Sequence, residues 1–187
     1  MKINLKKFKI VKSTNDTALK LIKKNISKPT LIMSERQTGG RGRIGKKWIS
    51  KKGNLYISIF FKLDQNRISF KQFAILNAFL IRKIISKNIN KNIQIKWPND
   101  LIFNKKKFCG ILQETVNFDH FNFLIVGIGI NTNTAPKNKS FQSTCLKNII
   151  DKKVNNNKIL KEILIYYEKF LKEARYMSFL ELKTKYK

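Results

Sequence analysis

Residues 38–50, TGGRGRIGKKWIS, set Gly39, Gly40, Gly42 and Gly45 among Arg41, Arg43, Lys46 and Lys47, with Trp48 close behind. Glycines let backbone N–H groups approach a ligand closely, and interleaved cations would draw an anion into that space. Gly40, Gly42 and Gly45 formally spell the dinucleotide fingerprint G-x-G-x-x-G. That motif works only where a strand enters the turn and a helix leaves it, so that the helix N-terminus meets the pyrophosphate. TLIMSER (30–36) can supply the strand. KKWISKKGN, after Gly45, supplies no helix, because Gly53-Asn54 punctuates the chain before the next apolar run and a parallel return needs roughly ten to twelve residues. The segment is expected to be a long cationic loop between two strands.

A second group lies in IKWPNDLIFNKKKFCGILQE (95–114). Pro98 cannot donate to a ladder and restricts Trp97, so the chain leaves its strand there and places Asn99-Asp100 in a turn. Asn and Asp favour turns for local reasons, which is one sufficient account of the pair. The other is chemical: a tryptophan and a carboxylate precede Lys107 and Gly110 on the next strand, a grouping able to hold charge beside a ligand. In FNFLIVGIGIN (121–131), alternation puts Gly127, Gly129 and Asn131 on one face. The gap they leave suits a ligand or another backbone, or else a flat contact with a helix.

These groups need a scaffold. STNDTALKLIKK (13–24) has Ser13 or Thr14 to cap a helix, Asp16 in its first turn and lysines in its last. NLYISIFFKL (54–63) reads as a buried strand, and SFKQFAILNAFLIRKIISK (69–87) lines up Phe73, Leu76, Leu80 and Ile84 as the stripe of a core-covering helix. IQIKW (93–97), LIF (101–103), FCGILQETV (108–116) and 121–131 are strands, the middle ones joined by short polar turns that favour antiparallel neighbours. KILKEILIYYEKFLKEAR (158–175) is an amphipathic helix capped from Asn155–Asn157. The fold class is α+β: a mixed or antiparallel sheet with packed helices, in one domain over 1–187.

Composition narrows the functions available. With 187 residues, 42% of them hydrophobic, the chain can bury one core. Cys109 and Cys145 make neither a disulfide framework nor a zinc quartet, the first twenty residues lack a signal peptide's apolar stretch, and FLIVGIGI (123–130) is far too short to span a membrane. A reduced, cytoplasmic protein is expected. The net charge of +29 raises nucleic acid as a partner. The excess is lysine spread along the whole chain, beside abundant Asn, Ile and Phe, as A/T-rich codons would produce, so nucleic-acid binding is not the favoured reading. Against that drift the 11 acidic residues stand out, and Asp16, Glu35, Asp100 and Glu114 all fall in or beside the segments above.

In order, STND (13–16), RQTGGRGRIGKKW (36–48), KWPNDL (96–101), KKFCGILQE (106–114) and VGIGIN (126–131) resemble the catalytic domain of biotin protein ligase. The resemblance covers most of the chain from Ser13 to Asn131. It implies that biotin is activated by ATP to biotinyl-5'-AMP and passed to one lysine of a biotin carboxyl carrier protein, usually that of acetyl-CoA carboxylase. Two anions must then be held together, which takes cations and a metal. Lys107, Arg43 and Arg41 would supply charge, and Asp100 would help hold Mg²⁺ and is the nearest candidate base for the acceptor lysine. The polar contacts to biotin are expected from Ser13, Thr14, Asn15 and Gln37, with Gly40, Gly42, Gly110 and Asn131 also in the biotin and adenylate site. Trp48 and Trp97 either wall that site or serve the core. The glycine loop would close over the adenylate, since a mixed anhydride must be kept from water.

Departures from the family pattern matter too. Twelve residues precede Ser13, so no winged helix and no repressor role are expected, and the helix-like end of the chain replaces the SH3-like barrel most members carry. Lys46 and Lys47 stand where the family usually has Arg, which keeps charge but loses the bidentate fork. A homodimer is left open. The rivals are a lipoate or octanoate ligase, whose loop typically leads to a histidine whereas His120 lies outside every motif, and a basic nucleic-acid-binding module with vestigial ligase motifs.

Overall fold

The computed structural model describes residues 1–136 and 142–187. The strands are β1 (Asn4–Val11), β2 (Thr30–Gln37), β3 (Leu55–Lys62), β4 (Gln94–Lys96), β5 (Asp100–Phe103), β6 (Lys106–Phe118) and β7 (Phe121–Ile130). The helices are α1 (Thr14–Ile22), α2 (Phe70–Ile89), α3 (Leu146–Ile150), α4 (Asn156–Glu173) and α5 (Phe179–Tyr186). One seven-stranded sheet runs in the order β1-β2-β3-β7-β6-β5-β4. β1 and β2 are parallel, joined through α1, and every other neighbouring pair is antiparallel, so the sheet is mixed as expected.

Strand alternation sorts the core into two layers. On one face Ile32, Phe60, Phe123 and Ile125 cluster with Ala18 and Ile22 of α1. On the other Leu31, Ile59, Leu124 and Val126 cluster with Leu80 and Ile84 of α2, Ile163 and Phe170 of α4, and Leu182 of α5. β3 is covered on both sides, which is why its sequence is nearly all apolar. Helix α1 has nine residues and covers only part of its face. Gly127 on β7 lies beneath Asn15 of α1, and Gly110 and Gly129 lie beneath Trp48 of the β2–β3 connection.

Sequence signals set most element ends. Ser13 caps α1 by accepting from the Asp16 N–H, Ser69 and Gln72 form a capping box on α2, and Asn155 caps α4. His120 is exposed in the β6–β7 turn, with φ of 60°. Strand β1 was not among the expected elements, because it lies at the sheet edge and presents mostly exposed side chains whose lysines break the alternation. Among the described residues no helix is long and apolar enough to cross a membrane.

Candidate active site

Between the α1 end of the sheet, the β2–β3 connection and the β4–β5 turn lies a cleft of about 900 Å³. Its floor is the β6–β7 pair, in which Gly110 faces Gly129 and Leu112 faces Gly127 across the ladder. The glycines are needed there. A Cβ on Gly129 would sit 2.5 Å from the Trp48 ring, and one on Gly110 2.7 Å from the same ring. A Cβ on Gly127 would lie within contact of the Asn15 carboxamide, closer than atoms can approach. The gap expected over these glycines exists, and the side chains of Asn15 and Trp48 reach into it where the glycines border the cleft.

One wall is a polar network at the start of α1. Gln37 Oε1 accepts from the Thr14 N–H at 2.8 Å and lies 3.1 Å from the Thr14 hydroxyl, while its Nε2 donates to Ser50 at 3.0 Å. The buried Ser58 hydroxyl lies 2.7 Å from Thr14 Oγ1 and 2.5 Å from Asn15 Oδ1. Asn15 Nδ2 donates to Glu114 Oε2 at 2.6 Å. Each amide is thereby held in one orientation, as recognition of a small polar ring system requires.

The opposite wall is cationic. Lys107 Nζ lies 2.6 Å from Asp100 Oδ1 and 5.3 Å from the centre of the Trp48 ring. The turn at 97–99 is fixed against β6 by Asn99, whose backbone O accepts from the Ile111 N–H at 2.8 Å and whose Nδ2 donates to Ile111 O at 2.9 Å. Asn99 Oδ1 in turn accepts from Arg43 at 3.4 Å. Residues 38–54 do connect two antiparallel strands, as the sequence requires, and the tip folds on itself through Gly42 N to Lys46 O and Trp48 N to Gly40 O. Gly45 has φ of +68° at the tip, a backbone shape that glycine adopts without strain.

A profile of the Biotin/lipoate A/B protein ligase family matches residues 7–131. The chain belongs to the biotin/lipoate A/B protein ligase family. It is 31% identical to the bifunctional ligase/repressor BirA of Bacillus subtilis over 93% of this chain and 55% of that protein. It is 30% identical to the biotin–[acetyl-CoA-carboxylase] ligase of Paracoccus denitrificans over 66% of this chain and 52% of that one. A biotin protein ligase from Aquifex aeolicus, solved in complex with biotin and ATP, superposes with a TM-score of 0.82 at 34% identity, covering 97% of this chain and 76% of that one. The chain spans about half the length of these two curated relatives.

Within this ligase fold, Ser13, Thr14, Asn15 and Gln37 come together on one wall, and Asp100, Lys107, Gly110, Arg43 and Trp48 on the floor and the other. Three expected site residues do not line the cleft. Trp97 is 52% exposed and packs edge-on against Phe79 of α2, 5.9 Å between ring centres, so it neither walls the site nor fills the core. Asn131 is buried with its Nδ2 donating to Thr144 O, because the chain leaves β7 there and turns beneath the sheet end. Gly40 lies behind the loop, where a Cβ would meet Trp48 O at 2.5 Å. Arg41 borders the cleft but is committed to carboxylates: its guanidinium pairs with both oxygens of Glu114, at 2.7 and 2.8 Å, and with Asp16 at 2.9 Å. The hydrogen bonds it donates to Glu114 hold the Arg41 pKa above its ordinary range, against the opposing effect of partial burial. Ser58 has a role no sequence motif points to, although a buried serine in an otherwise apolar strand is a usable signal.

Proposed function

We propose that this chain activates biotin with ATP to biotinyl-5'-AMP and transfers the biotinyl group to a lysine of a biotin carboxyl carrier protein. The observation that carries the reading is the opposition, within one cleft, of a fixed neutral wall (Thr14, Asn15, Gln37) and a charged one (Lys107, Asp100, Arg43) over a glycine floor. A neutral bicyclic ring with a carboxylate tail fits that division. Its ureido and ring atoms meet oriented amides and hydroxyls, and its carboxylate reaches the cations. The Aquifex aeolicus ligase, bound to biotin and ATP, supports it.

In the first step a biotin carboxylate oxygen bonds to the α-phosphorus of ATP and pyrophosphate leaves. Lys107 offsets the charge that builds up on the phosphoryl oxygens, and its pairing with Asp100 holds the ammonium in place beside Trp48. Arg43, on a loop whose glycines allow it to move, covers the phosphates. In the second step the acceptor lysine attacks the acyl carbon and AMP leaves. That amine must first lose a proton from an ordinary pKa near ~10.4, and we assign its acceptance to Asp100, the carboxylate of the charged wall. Mg²⁺ would be held by one Asp100 oxygen together with phosphate oxygens and water, and would neutralise phosphate charge. Among the described residues no group of three or more His, Cys, Asp or Glu is placed to hold a metal.

The test is ATP–pyrophosphate exchange by the purified chain with biotin, with lipoate as control. Exchange dependent on biotin is expected. Exchange with lipoate alone would assign the site to the other branch of the family, and none with either would remove the proposal.

A further inference from the structure

The tip of the glycine-rich segment, 41–47, makes its backbone hydrogen bonds within itself: Gly42 N to Lys46 O at 2.6 Å, Lys46 N to Arg43 O at 3.1 Å, and an Arg41–Lys47 bridge. Its ties to the body of the protein are therefore side chains. Arg43 contributes one long hydrogen bond to Asn99, at 3.4 Å. Arg41 contributes three short contacts, two to Glu114 on β6 and one to Asp16 on α1, with the three side chains only 30–42% exposed. The bidentate fork between guanidinium and carboxylate is the strongest of these geometries. With the Asp16 pair, Arg41 ties the glycine-rich segment to both elements bordering the neutral wall, β6 and α1.

We infer that Glu114, assisted by Asp16, is a positioning residue: a carboxylate clamp that holds the glycine-rich segment down over the cleft through Arg41. The inference rests on the proposed reaction for its purpose, which is to slow escape of the activated acyl group, but not for its structure. Glu114 has a second duty in the same place. Its Oε2 accepts from Asn15 Nδ2 at 2.6 Å, so the carboxylate that anchors the cover also fixes a wall amide. Closing the cover and orienting the wall are thereby coupled through one side chain. In a lysine-rich chain with only 11 acidic residues, two of them converge on this arginine.

The clamp can be read without any ligand, because its segment offers trypsin Arg41, Arg43, Lys46 and Lys47. Initial cleavage within 41–47 is measured on the folded full chain, normalised to cleavage of a free peptide of residues 38–50. Glu114→Gln keeps an acceptor for Asn15 but loses the charge and the fork, and should raise cleavage about fivefold, with Asp16→Asn giving about twofold, as befits half-exposed ion pairs. Raising KCl to about 0.5 M should bring the wild-type rate toward that of Glu114→Gln and change the variant's rate less, because only the Arg41–Asp16 pair is left there to be screened. A general loss of packing would instead lower the melting temperature and open many sites. Should Glu114→Gln fail to fold, Arg41→Lys, which keeps the charge but loses the fork, reads the same clamp. Wild-type cleavage rates in the folded variants, or wild-type protection indifferent to salt, would overturn the inference. Neither result depends on biotin, so absence of biotin-dependent exchange would count against the proposed reaction alone.

Discussion

Gly110, Gly127 and Gly129 each sit at a strand position paired with a neighbouring strand on both sides, whereas Gly39, Gly40, Gly42 and Gly45 lie in a segment whose tip is held by two arginine side chains. The same residue type does different work in the two places. In the floor, glycine removes a Cβ so that Asn15 and Trp48 can sit directly on the sheet. In the cover, Gly40 too leaves no room for a Cβ, but Gly45 and Gly53 supply positive φ in open space, where an added Cβ would meet nothing within 4 Å. We read β6–β7 as the rigid part and the β2–β3 connection as the mobile one. We assign charge stabilisation to the rigid part and retention of the intermediate to the mobile one.

The largest effect should come from the rigid part. Lys107→Met should cut adenylation about 10²–10³-fold, the loss typical of removing one preorganised charge-stabilising group, while the protein stays folded by circular dichroism. Near-normal exchange in a folded variant would take Lys107 out of the chemistry. Next, Gly127→Ala forces a methyl group into the Asn15 carboxamide, which Ser58 and Glu114 hold from either side. It should cost about 2 kcal/mol, or roughly 4–8 °C in melting temperature, whereas Gly45→Ala, in open space but at positive φ, should cost about 1 kcal/mol or less. Equal losses at the two positions would erase the distinction between floor and cover.

Changes in the cover should act on retention. Arg43→Gly removes only one long hydrogen bond, to Asn99, so adenylate synthesis should persist while biotinylation of bystander lysines rises several-fold. Normal synthesis without that leakage would mean the segment is not the gate. The smallest effect concerns neither region but the surface around both. A chain at +29 should attract an acidic carrier, so its KM for the carrier should rise about threefold between 50 and 300 mM KCl, as the Debye length falls from roughly 14 to 6 Å. Adenylation, a small-molecule step inside the cleft, should change less, and a flat KM would show that steering plays no part.

Much of this arrangement is legible in the sequence, and the exceptions have physical reasons. Helices α1, α2 and α4 show because their caps and apolar stripes are local features. The failed Rossmann match was legible as well, since no helix could fit between Gly45 and Leu55. β1 was not legible, because an edge strand is held by a backbone ladder that leaves little mark on side-chain pattern. Trp97 misled because a Trp-Pro turn beside the site gives no sign of which way the ring points. It points to Phe79. Asn131 misled because strand parity was carried one residue past the end of β7. From sequence Arg41 looks like a ligand cation, because its partners, Asp16 and Glu114, are 25 and 73 residues away and come together only when α1 and β6 meet at the cleft.

The division between floor and cover is tested most directly by a single-turnover measurement of biotinyl-adenylate formation and of its escape into solution, made side by side on the wild type, Lys107→Met and Arg43→Gly. The account predicts that Lys107→Met slows formation about 10²–10³-fold with escape per adenylate formed unchanged, and that Arg43→Gly speeds escape several-fold with formation largely preserved. Formation and escape moving together in both variants would contradict it.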